Sequence, residues 1–443
     1  MATEIATLSS LPLEAVDEKL TMAATPAAEF WSKHARSTLG PMLSSTGTYT
    51  ASDQASHLQF FDEHVASCLG SQPEEPKAEY YAHPDLAGTR FEVSLNLTTR
   101  GKAKVRYSFD LIRDGTGPDP FGEDNAGEML RRLCSVTGGD GRLMERLMGA
   151  FFLSPSETVA LSKKVQPHLQ IPPAAIAFEL EGSQQILKAY IPIIKKSALG
   201  KPPVDITLNA LRGLETLGYD MSYNVDLLEE YLNSRPGKVN PVMVGIDCLD
   251  PTKNQGSRVK VYVVTESSTF ATARDVITLG GRLNDESTLK GVKLLRSVWH
   301  LLLNEPKGIP DDEIDTWSKQ QRAPGVFFSG LLFSIDLAAG KRMPHIKIYV
   351  PVFQYSEHPE TPIRNTNAAL KMLGHEWGQT GKFSEVINAV FGQQKAHRQS
   401  YVTYSYTESK GVYLTSYLGM PLFNREEISD KYKAGLEAYN ILD

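Results

Sequence analysis

The sequence has few cysteines, and their placement excludes several kinds of site. Cys68, Cys134 and Cys248 are odd in number, lie far apart and form no Cys-x-x-Cys pair. This pattern excludes a disulfide framework and is typical of a protein from a reducing compartment. The histidines have no metal-ligand spacing either, so we expect no metal site.

Long apolar runs and an excess of positive charge are also missing. The longest apolar run, GVFFSGLLF at 325–333, is too short to span a bilayer. The N-terminal stretch MATEIATLSSLPLEAVDEKL lacks the basic start and apolar core of a signal peptide. The formal net charge of −6 gives no general basic surface for nucleic acid. We therefore expect a soluble, cytoplasmic protein that binds neither membrane nor nucleic acid.

What the sequence does contain is a repeated pair of β-like runs. The two runs of each pair are separated by a short turn-rich stretch, and helical patterns such as LKGVKLLRSVWHLLL lie between the pairs. The pairs are 91–97 with 103–112, 175–182 with 184–194, 241–249 with 258–265, 325–337 with 345–353, and 400–407 with 411–419. Five such pairs predict ten antiparallel strands.

Ten strands are most simply protected from edge pairing by closing them into a barrel, with helices outside. The predicted fold is therefore α+β: a ten-stranded antiparallel β-barrel with a solvent-filled lumen, surrounded by α-helices. Because no Pro/Ser-rich linker marks a boundary, we expect one domain over 1–443. Residues 1–85 are predicted to supply N-terminal helices that pack on the barrel, with amphipathic segments around 13–36 and 53–69.

The second strand of each pair has one polar and one apolar face, since side chains two apart share a face. The apolar face could pack inside and leave the polar face in water. The surrounding helices, however, need an apolar sheet face to pack on, which favours a polar lumen. The lumen would then hold Arg106, Lys188, Arg258, Lys260 and Lys347, together with Tyr190, Tyr262, Tyr349, Tyr413 and Tyr417.

Those side chains indicate a chemistry. Five cations in a confined lumen are expected to be uncompensated and to await a multiply charged anion, and Arg and Lys suit phosphate oxygens. Tyrosine faces stabilise cations by roughly 0.5–2 kcal/mol each. A diphosphate clamp beside a tyrosine cage favours the ionisation of an allylic diphosphate.

The same segments carry a family resemblance. FEVSLN, AFELEGSQQILKAY, DCLDPTKNQGSRVKVY, KIYVPVF and YVTYSYTESKGVYLTSY together resemble the fungal aromatic (indole) prenyltransferases of the dimethylallyl-tryptophan synthase family, from about residue 85 to 420. The resemblance implies the PT-barrel (ABBA) fold and transfer of a dimethylallyl group from dimethylallyl diphosphate to an indole in secondary metabolism, such as alkaloid biosynthesis. It also implies that no metal, Mg²⁺ or Ca²⁺, is essential.

The resemblance assigns roles to the residues as well. It implies diphosphate ligands at Arg106, Lys188, Arg258, Lys260 and Lys347, of which Lys347 stands where the family often has Gln. The tyrosines would bind the diphosphate and shield the cation. Glu92 falls at the family's carboxylate that accepts the indole N–H, where a negative charge would stabilise the cationic intermediate. The alternative for Glu92 is a solvated strand carboxylate.

Departures from the family pattern bear on the acceptor. Ala175 and Pro192 replace a lysine and an aromatic residue, and PVMVGID contains no arginine to grip an amino-acid carboxylate. These differences disfavour carbon 4 of free tryptophan and favour a tryptophan-containing cyclic dipeptide, another indole, or a phenolic or polycyclic compound. Leu331 and Leu332 suggest a five-carbon donor. A non-catalytic ligand-binding barrel stays as a rival, and the oligomer is either a monomer or a homodimer.

One further motif, DDEID at 311–315, has the aspartate spacing of magnesium-binding terpenoid synthases. The Pro and Gly residues just before it indicate that it opens a helix, where aspartates cap free N–H groups. The second acidic cluster that such a clamp needs is not supplied by NDEST at 284–288. We therefore expect these aspartates not to bind metal.

Overall fold

The computed structural model describes residues 25–72, 91–111, 119–164, 172–250, 257–322, 330–356, 358–392, 398–419 and 422. Within them lie ten strands: β1 Phe91–Thr98, β2 Lys104–Leu111, β3 Ala174–Glu181, β4 Gln184–Pro192, β5 Asn240–Asp247, β6 Val259–Thr265, β7 Leu331–Leu337, β8 His345–Val350, β9 Arg398–Thr407 and β10 Gly411–Gly419. They form a closed barrel in which every neighbouring pair is antiparallel and β1 pairs with both β2 and β10. The predicted barrel is confirmed. The part of the fourth predicted pair at 325–329 lies outside the described residues.

Helices surround the barrel, and several of them begin at a side chain that caps the first turn. The helices are α1 Pro26–Thr46, α2 Ala51–Phe60, α3 Glu123–Val136, α4 Arg142–Phe151, α5 Pro155–Ser162, α6 Ile194–Ala198, α7 Pro203–Gly213, α8 Ser222–Asn233, α9 Phe270–Ile277, α10 Glu286–Leu302, α11 Glu360–Met372, α12 Glu376–Thr380 and α13 Lys382–Phe391. Asp285, for example, starts α10 by accepting a hydrogen bond from the backbone N–H of Thr288. In the described chain, no helix combines the length and the apolar character needed to cross a bilayer.

The outer face of the barrel is apolar and packs against these helices. Val105, Ile246, Val261 and Ile348 all face outward and are at most 1% exposed. Burying such a side chain contributes about 1.5–3 kcal/mol, so this layer holds the helices on the sheet. The alternate side chains of each strand point to the opposite face of the sheet and line the lumen.

The N-terminal helices contact the outside of β2 and β3. Tyr49, between α1 and α2, donates a hydrogen bond to the Leu180 carbonyl at 2.9 Å and accepts one from Val105 N–H at 2.8 Å. The helix expected around 53–69 corresponds to α2 and the two short helical turns that follow it. Of the helix expected at 13–36, residues 13–24 lie outside the described residues, and the remainder belongs to α1.

Strand connectivity gives the barrel two different ends. Each odd-numbered strand pairs antiparallel with the even-numbered strand that follows it in the chain, so the strand ends that these five pairs connect lie at one end of the barrel, the hairpin end. The helical connections lie at the opposite end, the helix end. The position of a residue along its strand therefore fixes its depth in the lumen.

Candidate active site

A charged layer lies in the half of the lumen nearer the hairpin end. Its basic members are the five predicted cations: Arg106, Lys188, Arg258, Lys260 and Lys347. Three carboxylates lie among them: Glu179 on β3, Asp247 on β5 and Asp336 on β7. Each lies at or near the end of its strand that adjoins the hairpin end. The structure thus brings all five predicted cations together.

The expectation that these cations are uncompensated was wrong. Arg106 forms an ion pair with Glu179. Lys347 Nζ lies 2.7 Å from Asp336, and Arg258 Nη1 lies 3.0 Å from the same carboxylate. The physical reason is that buried charges need partners even when no ligand is bound, and the first strand of each hairpin supplies them.

The third carboxylate, Asp247, contacts the remaining cations. Lys188 and Lys260 each lie 2.6 Å from its Oδ1 atom. Burial would raise the pKa of Asp247, but Lys188, Lys260 and Arg258 hold it well below the usual range. Five cations against three carboxylates leave an excess of two positive charges among these eight side chains, which suits a multiply charged anion.

The carboxylates could have been found in the sequence. Glu179, Asp247 and Asp336 occupy inward positions in FELE, GID and SID, and period-two analysis of the first strands would have placed them. Lys410, in the turn between β9 and β10, was missed for another reason, because turns have no alternating pattern. It faces Arg258 and Lys347 and so adds to the basic side of the layer.

A tyrosine layer begins directly above the charged layer. Tyr190, Tyr262 and Tyr349 each follow a lumenal lysine by two residues, which moves them one step toward the helix end. The ring centroids of Tyr190 and Tyr262 are 5.8 Å apart, as are those of Tyr262 and Tyr349. Tyr349 also lies 6.0 Å from Tyr417 and 6.3 Å from Tyr401, a ring that the sequence analysis missed.

Tyr413 lies nearer the hairpin end of the barrel than the other predicted tyrosines. Its hydroxyl accepts a hydrogen bond from Arg106 at 3.0 Å, and Lys347 lies 5.6 Å from its ring centroid. Burial would raise its pKa, but Arg106 and Lys347 lower it below the ordinary value. Tyr413 therefore joins the charged layer to the aromatic layer.

Gly245 makes room for the tyrosine layer. A Cβ atom at this position would lie 2.6 Å from Cδ1 of Tyr190 and 3.2 Å from Cε2 of Tyr262. Since real Cβ contacts are not that close, only glycine allows both rings to lean over β5.

Glu92 lies near the helix end, beyond the tyrosines. It is the second residue of β1, and its carboxylate accepts a hydrogen bond from Ser400. The pKa of Glu92 is raised to about 7, chiefly by burial and also by the nearby Asp110, against hydrogen bonds from Ser400 and Ser108 that lower it. Glu92 is half-buried on the lumenal face of β1, and its role toward an indole stays a prediction.

Comparisons with known proteins agree with this geometry. The model of the family described as tryptophan dimethylallyltransferase matches residues 27–384. The chain belongs to this family. It is therefore a prenyltransferase, as the resemblance of its hairpins implied.

Individual relatives show how far the similarity extends. The indole prenyltransferase tdiB of Emericella nidulans is 44% identical over 402 residues, which cover 89% of this chain and 96% of that protein. The indole diterpene prenyltransferase terF of Tolypocladium album is 32% identical, with coverage of 90% and 95%. The crystal structure of AnaPT from Neosartorya fischeri, at 24% identity, covers 90% of this chain and 96% of its own with a TM-score of 0.72, which shows the shared fold.

The positions at which this prenyltransferase departs from the family pattern line the lumen. Ala175 pairs with Tyr190 across β3 and β4, and Pro192 pairs with Met243. Leu332 pairs with Tyr349 and also faces inward. Leu331 was wrongly grouped with it, because adjacent strand residues point to opposite faces, and Leu331 is fully buried in the outer core.

DDEID lies outside the lumen, and its predicted helix is wrong. Residues 311–316 form turns, with Ile314 N–H donating to Pro310 carbonyl at 3.0 Å but no continuing helix. Asp311 pairs with Arg296 at 2.8 Å and Asp315 with Arg274 at 2.9 Å. Across the described ranges, no group of three or more His, Cys, Asp or Glu side chains could hold a metal ion.

Proposed function

We propose that this prenyltransferase transfers a dimethylallyl group from dimethylallyl diphosphate to the aromatic ring of an indole, as a step in secondary metabolism. The observation that carries the proposal is the order of the three parts of the lumen. A layer with excess positive charge adjoins a layer of tyrosine rings, and a half-buried carboxylate, Glu92, lies beyond the rings.

The charged layer would bind the diphosphate and promote its departure. Arg106, Lys188, Arg258, Lys260 and Lys347 stabilise the negative charge that develops as the allylic C–O bond breaks and its electron pair stays on the diphosphate. These fixed cations supply the electrostatic stabilisation for which other enzymes use metal ions. We therefore expect transfer to proceed without Mg²⁺ or Ca²⁺.

The tyrosine layer would hold the resulting allyl cation. The faces of Tyr190, Tyr262, Tyr349 and Tyr417 stabilise positive charge and keep out water, which would otherwise hydrolyse the cation. Tyr413 contributes at the edge of this layer nearest the charged layer, where its hydroxyl accepts a hydrogen bond from Arg106. Leu332 beside Tyr349 limits the room for the prenyl chain, which supports a five-carbon donor.

Glu92 would orient the acceptor. As a carboxylate it accepts the indole N–H and stabilises the cationic ring formed when the aromatic carbon bonds to the prenyl carbon. Transfer of a proton from that carbon to Glu92 or to a water molecule then restores aromaticity. The tdiB relative, named an indole prenyltransferase, supports an indole acceptor, and Ala175 supports one other than carbon 4 of free tryptophan.

The test is to incubate the purified protein with labelled dimethylallyl diphosphate and three acceptors in the presence of a metal chelator. The acceptors are free tryptophan, a tryptophan-containing cyclic dipeptide and a phenolic compound. We expect diphosphate release and prenylation of the cyclic dipeptide, measured by mass spectrometry and NMR. Release of no diphosphate with any acceptor would favour a ligand-binding barrel instead.

Glu92→Gln separates acceptor classes in the same assay. Because the variant keeps the shape but loses the charge, we expect kcat/KM for the indole acceptor to fall about a hundredfold. Glu145→Gln, which changes an exposed carboxylate on α4, serves as the matched control. Unchanged indole turnover by Glu92→Gln would refute the N–H role.

A further inference from the structure

Asp247 is the carboxylate on which most of the charged layer converges. Its Oδ1 atom accepts hydrogen bonds from the ammonium groups of Lys188 and Lys260, each at 2.6 Å. Its Oδ2 atom accepts one from Arg258 Nη2 at 3.3 Å. Asp247 is only 2% exposed, so these contacts take place away from bulk water. One carboxylate thus joins three of the five cations.

The backbone fixes the position of this carboxylate. Asp247 is the last residue of β5, and the next residue, Cys248, donates its N–H to Leu187 carbonyl on β4 at 2.9 Å. On the other side, Asp247 N–H donates to Arg258 carbonyl at 3.4 Å. The side chain is therefore held between β4 and the start of β6, next to the lysines that it contacts.

Lys260 depends on Asp247 for its charge. The pKa of Lys260 is lowered to about 7, chiefly by burial, and the neighbouring cations Lys188 on β4 and Arg258 beside β6 contribute to the lowering. Asp247 on β5 and, to a smaller extent, Asp336 on β7 raise it. Without Asp247, the remaining neighbours favour the neutral amine, which cannot attract a diphosphate.

We propose that Asp247 is a positioning residue for the prenyl donor: its two oxygen atoms hold the side chains of Lys188, Lys260 and Arg258 together until the diphosphate arrives. The inference rests on the proposed function of the charged layer and extends it to a residue that does not contact the donor's reacting atoms. A neutral substitution of Asp247 then leaves the net charge of the layer unchanged, because the lost negative charge is matched by the proton that Lys260 gives up.

A simpler role for Asp247 has the opposite consequence. If the carboxylate only repelled the diphosphate, its removal would strengthen binding. If it positions the lysines, removal weakens binding, and the pH at which affinity declines moves down. The sign of the change therefore distinguishes the two roles.

The experiment is calorimetric titration of the full chain with inorganic diphosphate across neutral pH, for the unsubstituted protein and for Asp247→Asn. Above the pKa of Lys260 in both proteins, we expect the dissociation constant of the variant to rise about tenfold for each unit by which the substitution lowers that pKa. The difference should shrink at lower pH, where Lys260 regains its proton. Ionisation of the diphosphate itself is common to both proteins and cancels at each pH. Equal or tighter binding by Asp247→Asn would overturn the inference.

Two further variants make the test decisive. Asp311→Asn removes an exposed carboxylate of the same kind and should leave diphosphate binding unchanged. Asp247→Glu keeps the charge but moves it by one methylene, so it should weaken binding measurably while the pH dependence stays that of the unsubstituted protein. If Asp247→Asn does not fold, unchanged affinity in Asp247→Glu overturns the positioning role.

The titration also separates this inference from the proposed function, since it requires neither acceptor nor turnover. If the unsubstituted protein binds no diphosphate, the proposed function fails. If it binds diphosphate and Asp247→Asn binds it equally well, only the role of Asp247 fails.

Discussion

At the scale of single residues, the main finding is that buried carboxylates pair with the lumenal cations. The sequence identified the cations because they alternate with apolar residues on the second strand of each hairpin. It did not identify Glu179, Asp247 and Asp336 as their partners, because the first strands were not analysed in the same way. A diphosphate entering this layer must take over hydrogen bonds that these carboxylates already accept. Pairing avoids the free-energy cost of isolated buried charges and still leaves an excess of two positive charges in the layer.

Two residues of the lumen, Glu92 and Lys260, are expected to give opposite pH dependences. The pKa of Glu92 is raised to about 7 by burial, so the carboxylate form grows as pH rises through that value. The pKa of Lys260 is lowered to about 7 by burial, so its charged form is lost over the same range. At saturating donor we expect kcat/KM for an indole acceptor to rise with pH, whereas donor affinity measured directly should fall.

Steady-state kinetics and donor titrations at a series of pH values check this expectation. Glu92→Gln should remove the pH dependence of acceptor use and leave that of donor binding intact. A Glu92→Gln variant with the same pH profile as the unsubstituted enzyme would contradict the assignment.

At the scale of the element, strands were predicted better than turns. Period-two alternation fixed the hairpins because burial on one face demands it, and the barrel followed from the count of strands. DDEID was expected to open a helix, yet its segment forms turns held by surface ion pairs, which local sequence does not reveal. Leu331 and Leu332 are a second case in which local sequence was not enough. Only one of two adjacent strand residues can face the lumen and limit the size of the donor, and the sequence analysis did not say which.

The close approach of rings to β5 gives a prediction for that strand. Gly245→Ala places a Cβ atom 2.6 Å from the Tyr190 ring and should displace it. We expect a loss of stability of about 1–3 kcal/mol and a lower rate of prenyl transfer, because overpacking disturbs the tyrosine layer.

Thermal denaturation and steady-state assays measure both effects of Gly245→Ala. Gly149→Ala on α4 is the matched control, since a Cβ atom there has no neighbour within 4 Å. That helical substitution should stabilise the protein by about 0.5–1 kcal/mol and leave turnover unchanged. A Gly245→Ala enzyme as stable and active as the unsubstituted one would show that the rings tolerate displacement.

At the scale of the whole molecule, the barrel separates tasks by depth. The strand ends that the five hairpin pairs connect lie at one end of the barrel, so the charged side chains near them form one layer, and residues two positions further along the strands form the next. This separation places the charged layer, the tyrosine layer and Glu92 in sequence along the lumen. The fold was predictable from the repeat, whereas the contacts between layers depend on strand register and shear, which the sequence does not state.

The most direct test is a crystal structure of the protein with a non-hydrolysable thiolodiphosphate analogue of dimethylallyl diphosphate. We expect the diphosphate oxygens to contact Lys188, Arg258 and Lys347, and the dimethylallyl group to lie against Tyr190, Tyr262 and Tyr349. A diphosphate bound outside the charged layer, or a prenyl group directed away from the tyrosine rings, would contradict the account.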